Sequence, residues 1–209
     1  MTEPTETIAI DVVLMPPEPV MDIAISVNQT LLARNPDGGI RLNRTDCLPH
    51  ISVAMAPIRQ GDLHKVVAGL DRIVRRCSSM TLTIDSIAKH RTPNGEMVSV
   101  FHIPRIEILQ LFHKSVMKAV EPHHAPAVGT HIFADREVSA SSLDCLLRFP
   151  GTSAYKDYSP HITLGFGELP RIVPGVDLPL RFEVTKAALC HLGNHCTCRE
   201  ALAGFELRS

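Results

Sequence analysis

Two eight-residue stretches carry the residue types of acid–base chemistry in the same order. DCLPHISV (residues 46–53) and DYSPHITL (residues 157–164) share Asp, Pro, His and Ile in register, and their histidines lie 111 positions apart. Read as strands, each places an imidazole and a hydroxyl on one face: His50 with Ser52, and His161 with Thr163. Ile51 and Val53, like Ile162 and Leu164, turn to the opposite face and anchor the strand from behind. A proline ahead of each histidine suits the first residue of a strand, where no ladder donor is lost. Histidine titrates near pH ~6.5, so one ring can be neutral and the other protonated at neutral pH. The pair then supplies a general base and a general acid, each worth ~10²–10⁴-fold in rate. The hydroxyls donate to the oxygens of an anion whose charge builds in the transition state. A phosphodiester fits this set with no metal required, because the imidazolium brings the positive charge. A lone His-x-Thr on a strand says little. Two copies sharing four residues in register favour chemistry over a structural repeat.

These paired His-x-(Ser/Thr)-aliphatic motifs resemble those of the two-histidine (2H) phosphoesterase superfamily, most closely its 2′-5′ RNA ligase-like, cyclic phosphodiesterase branch. The similarity is specific at PHISV and PHITL and looser elsewhere, although the order of strands and helices along the chain fits the whole fold. It implies an α+β, bilobal architecture of two antiparallel β-sheets lining a central groove, with helices packed on the outer faces. Residues 1–209 then make a single bilobal domain. It also implies metal-independent action on 2′,3′-cyclic phosphate or 2′-5′ phosphodiester bonds of RNA ends or nucleotides, with ligation as the reverse reaction. His50, Ser52, His161 and Thr163 fall on the catalytic motif positions; Ser52 stands where threonine is common. Which histidine is base and which is acid stays open. No cofactor is implied. The expected partner is an RNA end or nucleotide, with no membrane, and the protein is expected as a monomer. The alternative is a non-catalytic nucleotide- or RNA-binding module using the same groove.

Other residues have weaker claims. Tyr155, Lys156 and Tyr158 precede the second motif; an aromatic beside a phosphate groove can stack a base, worth ~1–3 kcal/mol. Packing with one hydrogen bond is the alternative, and both stay open. Arg44, and Arg41 with it, precedes the first motif and is placed to meet phosphate, although a solvated arginine is the more usual outcome. CHLGNHCTC (residues 190–198) offers three thiols and two imidazoles of the kind zinc takes. No second ligand pair at matching spacing occurs elsewhere, so Gly193-Asn194 is read as a hairpin turn and a zinc-stabilised interaction domain as the lesser reading.

The elements that must position these residues follow from periodicity. TIAIDVVLM (residues 7–15) is a buried strand, followed by a helix over residues 19–33. The first motif strand leads to an amphipathic helix with Leu63, Val66, Val67, Leu70, Ile73, Val74 and Cys77 on one stripe. TLTIDSIAKH and EMVSVFHI flank RTPNG as a hairpin, and a helix runs from Pro104 to Val120. HIFA is read as a short strand. SASSLDCLLRF is a serine-capped helix stopped by Pro150-Gly151. LRFEVTKAALCHL and CREALAGFELR close the chain as an antiparallel pair. Hairpins of this kind argue for α+β rather than a parallel α/β fold. The net charge of −1 excludes a global basic field for non-specific nucleic-acid binding. The first ten residues show no secretory pattern and no apolar run reaches membrane length, so a cytoplasmic protein with six reduced cysteines is expected.

Overall fold

Strand β1 (Thr7–Met15) is buried at every position but its two ends. It lies between β2 (Ile51–Arg59) and β8 (Lys186–Leu192), antiparallel to both, and β8 pairs onward with β9 (Cys198–Glu206). In the other half, β6 (His161–Phe166) pairs with β5 (Met97–His102), which pairs with β4 (Ser86–Arg91). The two motif strands, β2 and β6, adjoin through a single residue pair, Ile51 with Ile162. The seven-stranded antiparallel sheet β4-β5-β6-β2-β1-β8-β9 is therefore two lobes sharing that one pair. The computed structural model describes residues 6–92, 94–127, 129–170 and 172–208. Residues 1–5, position 93 within RTPNG, and positions 128, 171 and 209 lie outside the described residues.

A second, two-stranded sheet pairs β3 (Met80–Ile84) with β7 (Leu180–Val184). TLTIDSIAKH and LRFEVTKAALCHL, each read as one strand, thus break in two, at Asp85 and Thr185. The buried alternation slips by one at both breaks. Leu82 and Ile84 give way to Ile87, and Phe182 and Val184 give way to Ala187 and Leu189. A one-residue slip turns the following side chains to the other face, so the chain changes sheets there.

Among the described residues, four α-helices cover the strands. Helix α1 (Glu18–Arg34) packs on β6, and α3 (Glu107–Val120) packs on β2, so each lies against the motif strand of the other half. Helix α2 (Leu63–Val74) buries Val66, Leu70 and Val74 and rests on α3. Helix α4 (Ala140–Thr152) is capped as expected, with Ser139 accepting from the Ser142 amide. It does not stop at Pro150-Gly151. The Ser153 amide still closes the final turn on Phe149 O at 2.9 Å, so the one donor that Pro150 lacks does not end the helix. HIFA is not a strand: Thr130–Ile132 form a 3₁₀ turn closed by the Phe133 amide on Thr130 O.

Candidate active site

The two motif strands are alike in three dimensions as well as in sequence. Register skips Val53 where β2 meets β1, because Val12 pairs with Ala54 and Val13 with Ser52. It skips Leu164 where β6 meets β5, because Ser99 pairs with Gly165 and Val100 with Thr163. Each motif thus ends on a β-bulge at its fourth residue. A bulge leaves one residue unpaired in the ladder and re-aims the side chains beside it. The freed carbonyls are both capped by buried polar side chains. His113 Nδ1 donates to Val53 O at 2.7 Å, and Asn28 Nδ2 donates to Leu164 O at 2.7 Å and to Ile40 O at 2.9 Å. Gly165 makes the second cap possible: its φ is +135°, and a Cβ there would lie 2.8 Å from Asn28 Nδ2.

The catalytic candidates converge at the shared pair. Counting one residue either way from Ile51 and Ile162 sets His50 across from Thr163 and Ser52 across from His161. Both imidazoles are held the same way. His50 Nδ1 donates to Leu48 O at 2.7 Å, and His161 Nδ1 donates to Ser159 O at 2.8 Å. Because a carbonyl only accepts, each Nδ1 carries the proton and each Nε2 is left with its lone pair. Leu48 is itself held, its amide donating to Cys198 O at 3.2 Å.

Burial disfavours a proton on either ring. Desolvation lowers the pKa of His50, and it lowers that of His161 to about 4, with His90, His50 and His102 adding repulsion. The protein's own groups therefore hold both rings neutral near neutral pH. His90 stands 5.8 Å from His161, ring centre to ring centre, and His102 pairs with His161 across β5 and β6.

Asp11, in the middle of β1, was missed. Ser52 Oγ donates to its Oδ2 at 2.6 Å, and His50 Nε2 lies 3.7 Å from the same oxygen. The signal was a lone acid inside the apolar run TIAIDVVLM. Burial raises the Asp11 pKa well above the usual carboxylate range, against the pull of Ser52 and the bulge amides of Ala54 and Val53.

The residues offered for substrate binding scatter. Tyr158 is 4 % exposed, stacks on His113 at 4.1 Å, and donates from its hydroxyl to Ser52 O at 3.1 Å. No face of its ring is left for a base, so packing takes the place of stacking. Tyr155 is tied to α3: its amide donates to His113 Nε2 at 2.7 Å, and its hydroxyl donates to Glu121. Arg44 pairs with Asp22 at 2.6 Å and Glu18 at 3.1 Å on the surface of α1, and Arg41 donates to Pro36 O. Lys156 is exposed and lines a recess of about 290 Å³ with His102 and Arg105. The repeated acids Asp46 and Asp157 are exposed; Asp46 accepts from Asn43 Nδ2 at 2.7 Å, and Asp157 lines the same recess as Lys156.

A cavity of about 160 Å³ is lined by Thr163, Phe166, Val98, Cys145, Cys196 and His195, among others. A larger cavity, about 660 Å³, lies between α2 and α3 and is lined by no motif residue. The cysteine-rich hairpin departs from expectation. Cys190 and Cys198 are joined in a disulfide rather than reduced, while Cys196 donates to Ser142 O. Its histidines diverge, His191 meeting Ile132 O and His195 packing on Phe166. Among the described residues, no three His, Cys, Asp or Glu side chains are grouped to hold a metal, and no helix is long and apolar enough to cross a membrane.

No protein-family model matches the chain, and no curated protein matches it. Solved structures do. TT0787 of Thermus thermophilus is 19 % identical with a TM-score of 0.61, over 97 % of this chain and 99 % of that one. E. coli LigT is 11 % identical with a TM-score of 0.56, over 98 % and 99 %. A structure described as a phosphoesterase is 12 % identical with a TM-score of 0.53, over 98 % and 100 %. From its first strand to its last, this chain has the fold of LigT and of that phosphoesterase.

Proposed function

We propose that this protein is a metal-independent phosphodiesterase that opens 2′,3′-cyclic phosphates or cleaves 2′-5′ linkages of RNA ends or nucleotides, acting as a monomer. One observation carries the reading: two imidazoles, each anchored through Nδ1, present free Nε2 atoms beside the one residue pair that joins the motif strands. One Nε2 takes the proton of the attacking oxygen. The other, protonated, gives its proton to the leaving oxygen. Since the rings are neutral on their own, the acid's proton must be drawn in by the negative charge of the diester itself, which favours an imidazolium beside it. Thr163, whose hydroxyl has no partner among the described residues, is free to donate to a phosphoryl oxygen. Lys156 and Arg105, with the acid Asp157 in the same recess, offer positive charge to an adjoining phosphate. E. coli LigT has been solved with phosphate and with 3′-AMP, ligands of the chemistry proposed here.

The test is opening of a 2′,3′-cyclic nucleotide by wild type, His50→Ala and His161→Ala with a chelator present. Each variant is expected to lose ~10²–10⁴-fold. Full activity in either variant, or abolition by chelator, overturns the mechanism. The low pKa of His161, about 4, favours a second reading in which the groove only binds nucleotides. Measurable nucleotide affinity with no turnover in wild type would select it.

A further inference from the structure

The two motif hydroxyls are not equivalent. Ser52 Oγ is engaged by a carboxyl at 2.6 Å, whereas Thr163 has no partner among the described residues. The sheet explains why. Asp11 pairs with Met55, three residues beyond Ser52. The matching position in the other lobe, paired with Phe166 three residues beyond Thr163, is Val98. One hydroxyl therefore has an acid for a neighbour where the other has an aliphatic side chain.

A serine hydroxyl carries one proton. Beside a carboxylate it must donate to that carboxylate, and it then turns only lone pairs toward the groove. Those lone pairs repel a phosphoryl oxygen. Beside a carboxylic acid the direction reverses: the acid donates to Oγ, and the hydroxyl proton is released. We propose that Asp11 is a positioning residue that works in its protonated form, donating to Ser52 Oγ and so aiming the Ser52 proton at an oxyanion in the groove. The inference rests on the reading of this groove as a phosphoryl site.

The surroundings of Asp11 agree with it. The side chain is fully buried, and Oδ1 has no hydrogen-bond partner. No lysine or arginine forms an ion pair with it among the described residues. The groups facing it are His50 just ahead of β2, Tyr158 ahead of β6, Cys145 on α4 and Cys196 ahead of β9. Cys190, opposite it on β8, is bonded to Cys198 and does not titrate. None of these is a standing cation. A buried charge with no counter-ion is strongly disfavoured, and the raised pKa of Asp11 has burial as its main cause. An anion bound at Ser52 adds negative charge close by and holds the proton more tightly. By linkage, that proton must also strengthen anion binding.

The experiment uses the full chain and sulfate, whose charge is constant over roughly pH 5–9, so that any pH dependence belongs to the protein. Infrared spectra of wild type near neutral pH are expected to show the carbonyl band of a protonated carboxyl, absent from Asp11→Asn. Asparagine keeps a donor for Ser52 Oγ, so Asp11→Asn is expected to bind sulfate within about threefold of wild type, and Asp11→Ala about tenfold more weakly. Wild-type affinity is expected to fall toward alkaline pH as Asp11 ionises, and the Asn variant to lack that component. Absence of the carboxyl band in wild type, no sulfate binding by wild type, or an Asn variant as weak as the Ala variant overturns the proposal. Should the Asn variant not fold, the wild-type band decides alone. Neither readout needs turnover, so an inactive wild type would sink the phosphodiesterase reading without deciding this one.

Discussion

The two motif strands share a sequence pattern, a bulge, a capped carbonyl and an anchored imidazole, yet their surroundings differ. The β2 motif is built into packed structure. His50 and Ser52 lie against the buried Asp11, and Tyr158 reaches over from the other lobe to bond Ser52 O. The β6 motif lies among ionisable and open groups: His161 beside His90 and His102, and Thr163 on a cavity wall. The same backbone device therefore aims two imidazoles alike, while the neighbours set how readily each ring or hydroxyl gives or takes a proton. Similar sequence fixes direction here; dissimilar surroundings assign the chemistry.

The comparison breaks most severely if one histidine alone carries the reaction. Removing either ring is expected to cost the ~10²–10⁴-fold already stated, and unequal losses for His50→Ala and His161→Ala would show which lobe dominates. Next come the two caps. Asn28→Ala strips the partner from Leu164 O, Ile40 O and the Leu42 amide, and His113→Ala strips it from Val53 O and the Tyr155 amide. Leaving buried polar groups unpaired costs ~1–3 kcal/mol for each group not rescued by water. Chemical denaturation should find both variants destabilised, Asn28→Ala the more so, with activity falling alongside.

A third effect is on pH. The folded pKa of His161 is about 4, below the ~6.5 of an unfolded histidine, and that of His50 is also lowered. Between those values the unfolded chain binds more protons, so stability falls as pH drops through that window. Melting temperature against pH should show a shallower acid slope in His161→Gln than in wild type; an unchanged slope would contradict the shift. The smallest effect is expected of Tyr158→Phe, which removes only the hydroxyl bonded to Ser52 O and should cost ~0.5–1.5 kcal/mol. A loss of activity larger than that stability change implies would mark this bond as what holds the two motifs in step.

Much of this arrangement is legible in the chain. The paired motifs, the strand at residues 7–15, the stripe of α2 and the serine cap of α4 follow from local spacing, because each depends on near neighbours. The sheet changes at Asp85 and Thr185 were also written there, as slips in alternation, but each slip sits inside a continuous strand-like run and is hidden by it. The supports of the site are another matter. Asn28 meets Leu164 from 136 positions away, His113 meets Val53 from 60, and Tyr158 meets Ser52 from 106. Nothing in their local sequence names these partners. The disulfide was hidden for a different reason: an inferred reducing compartment outweighed the spacing of Cys190 and Cys198.

The antiparallel meeting of Ile51 and Ile162 has a further consequence. It relates the lobes by an approximate half-turn, so a ligand rotated end for end meets an imidazole and a hydroxyl in the same places. Any preference between the two orientations must then fall to whatever breaks that symmetry: the acid beside one hydroxyl and the valine beside the other.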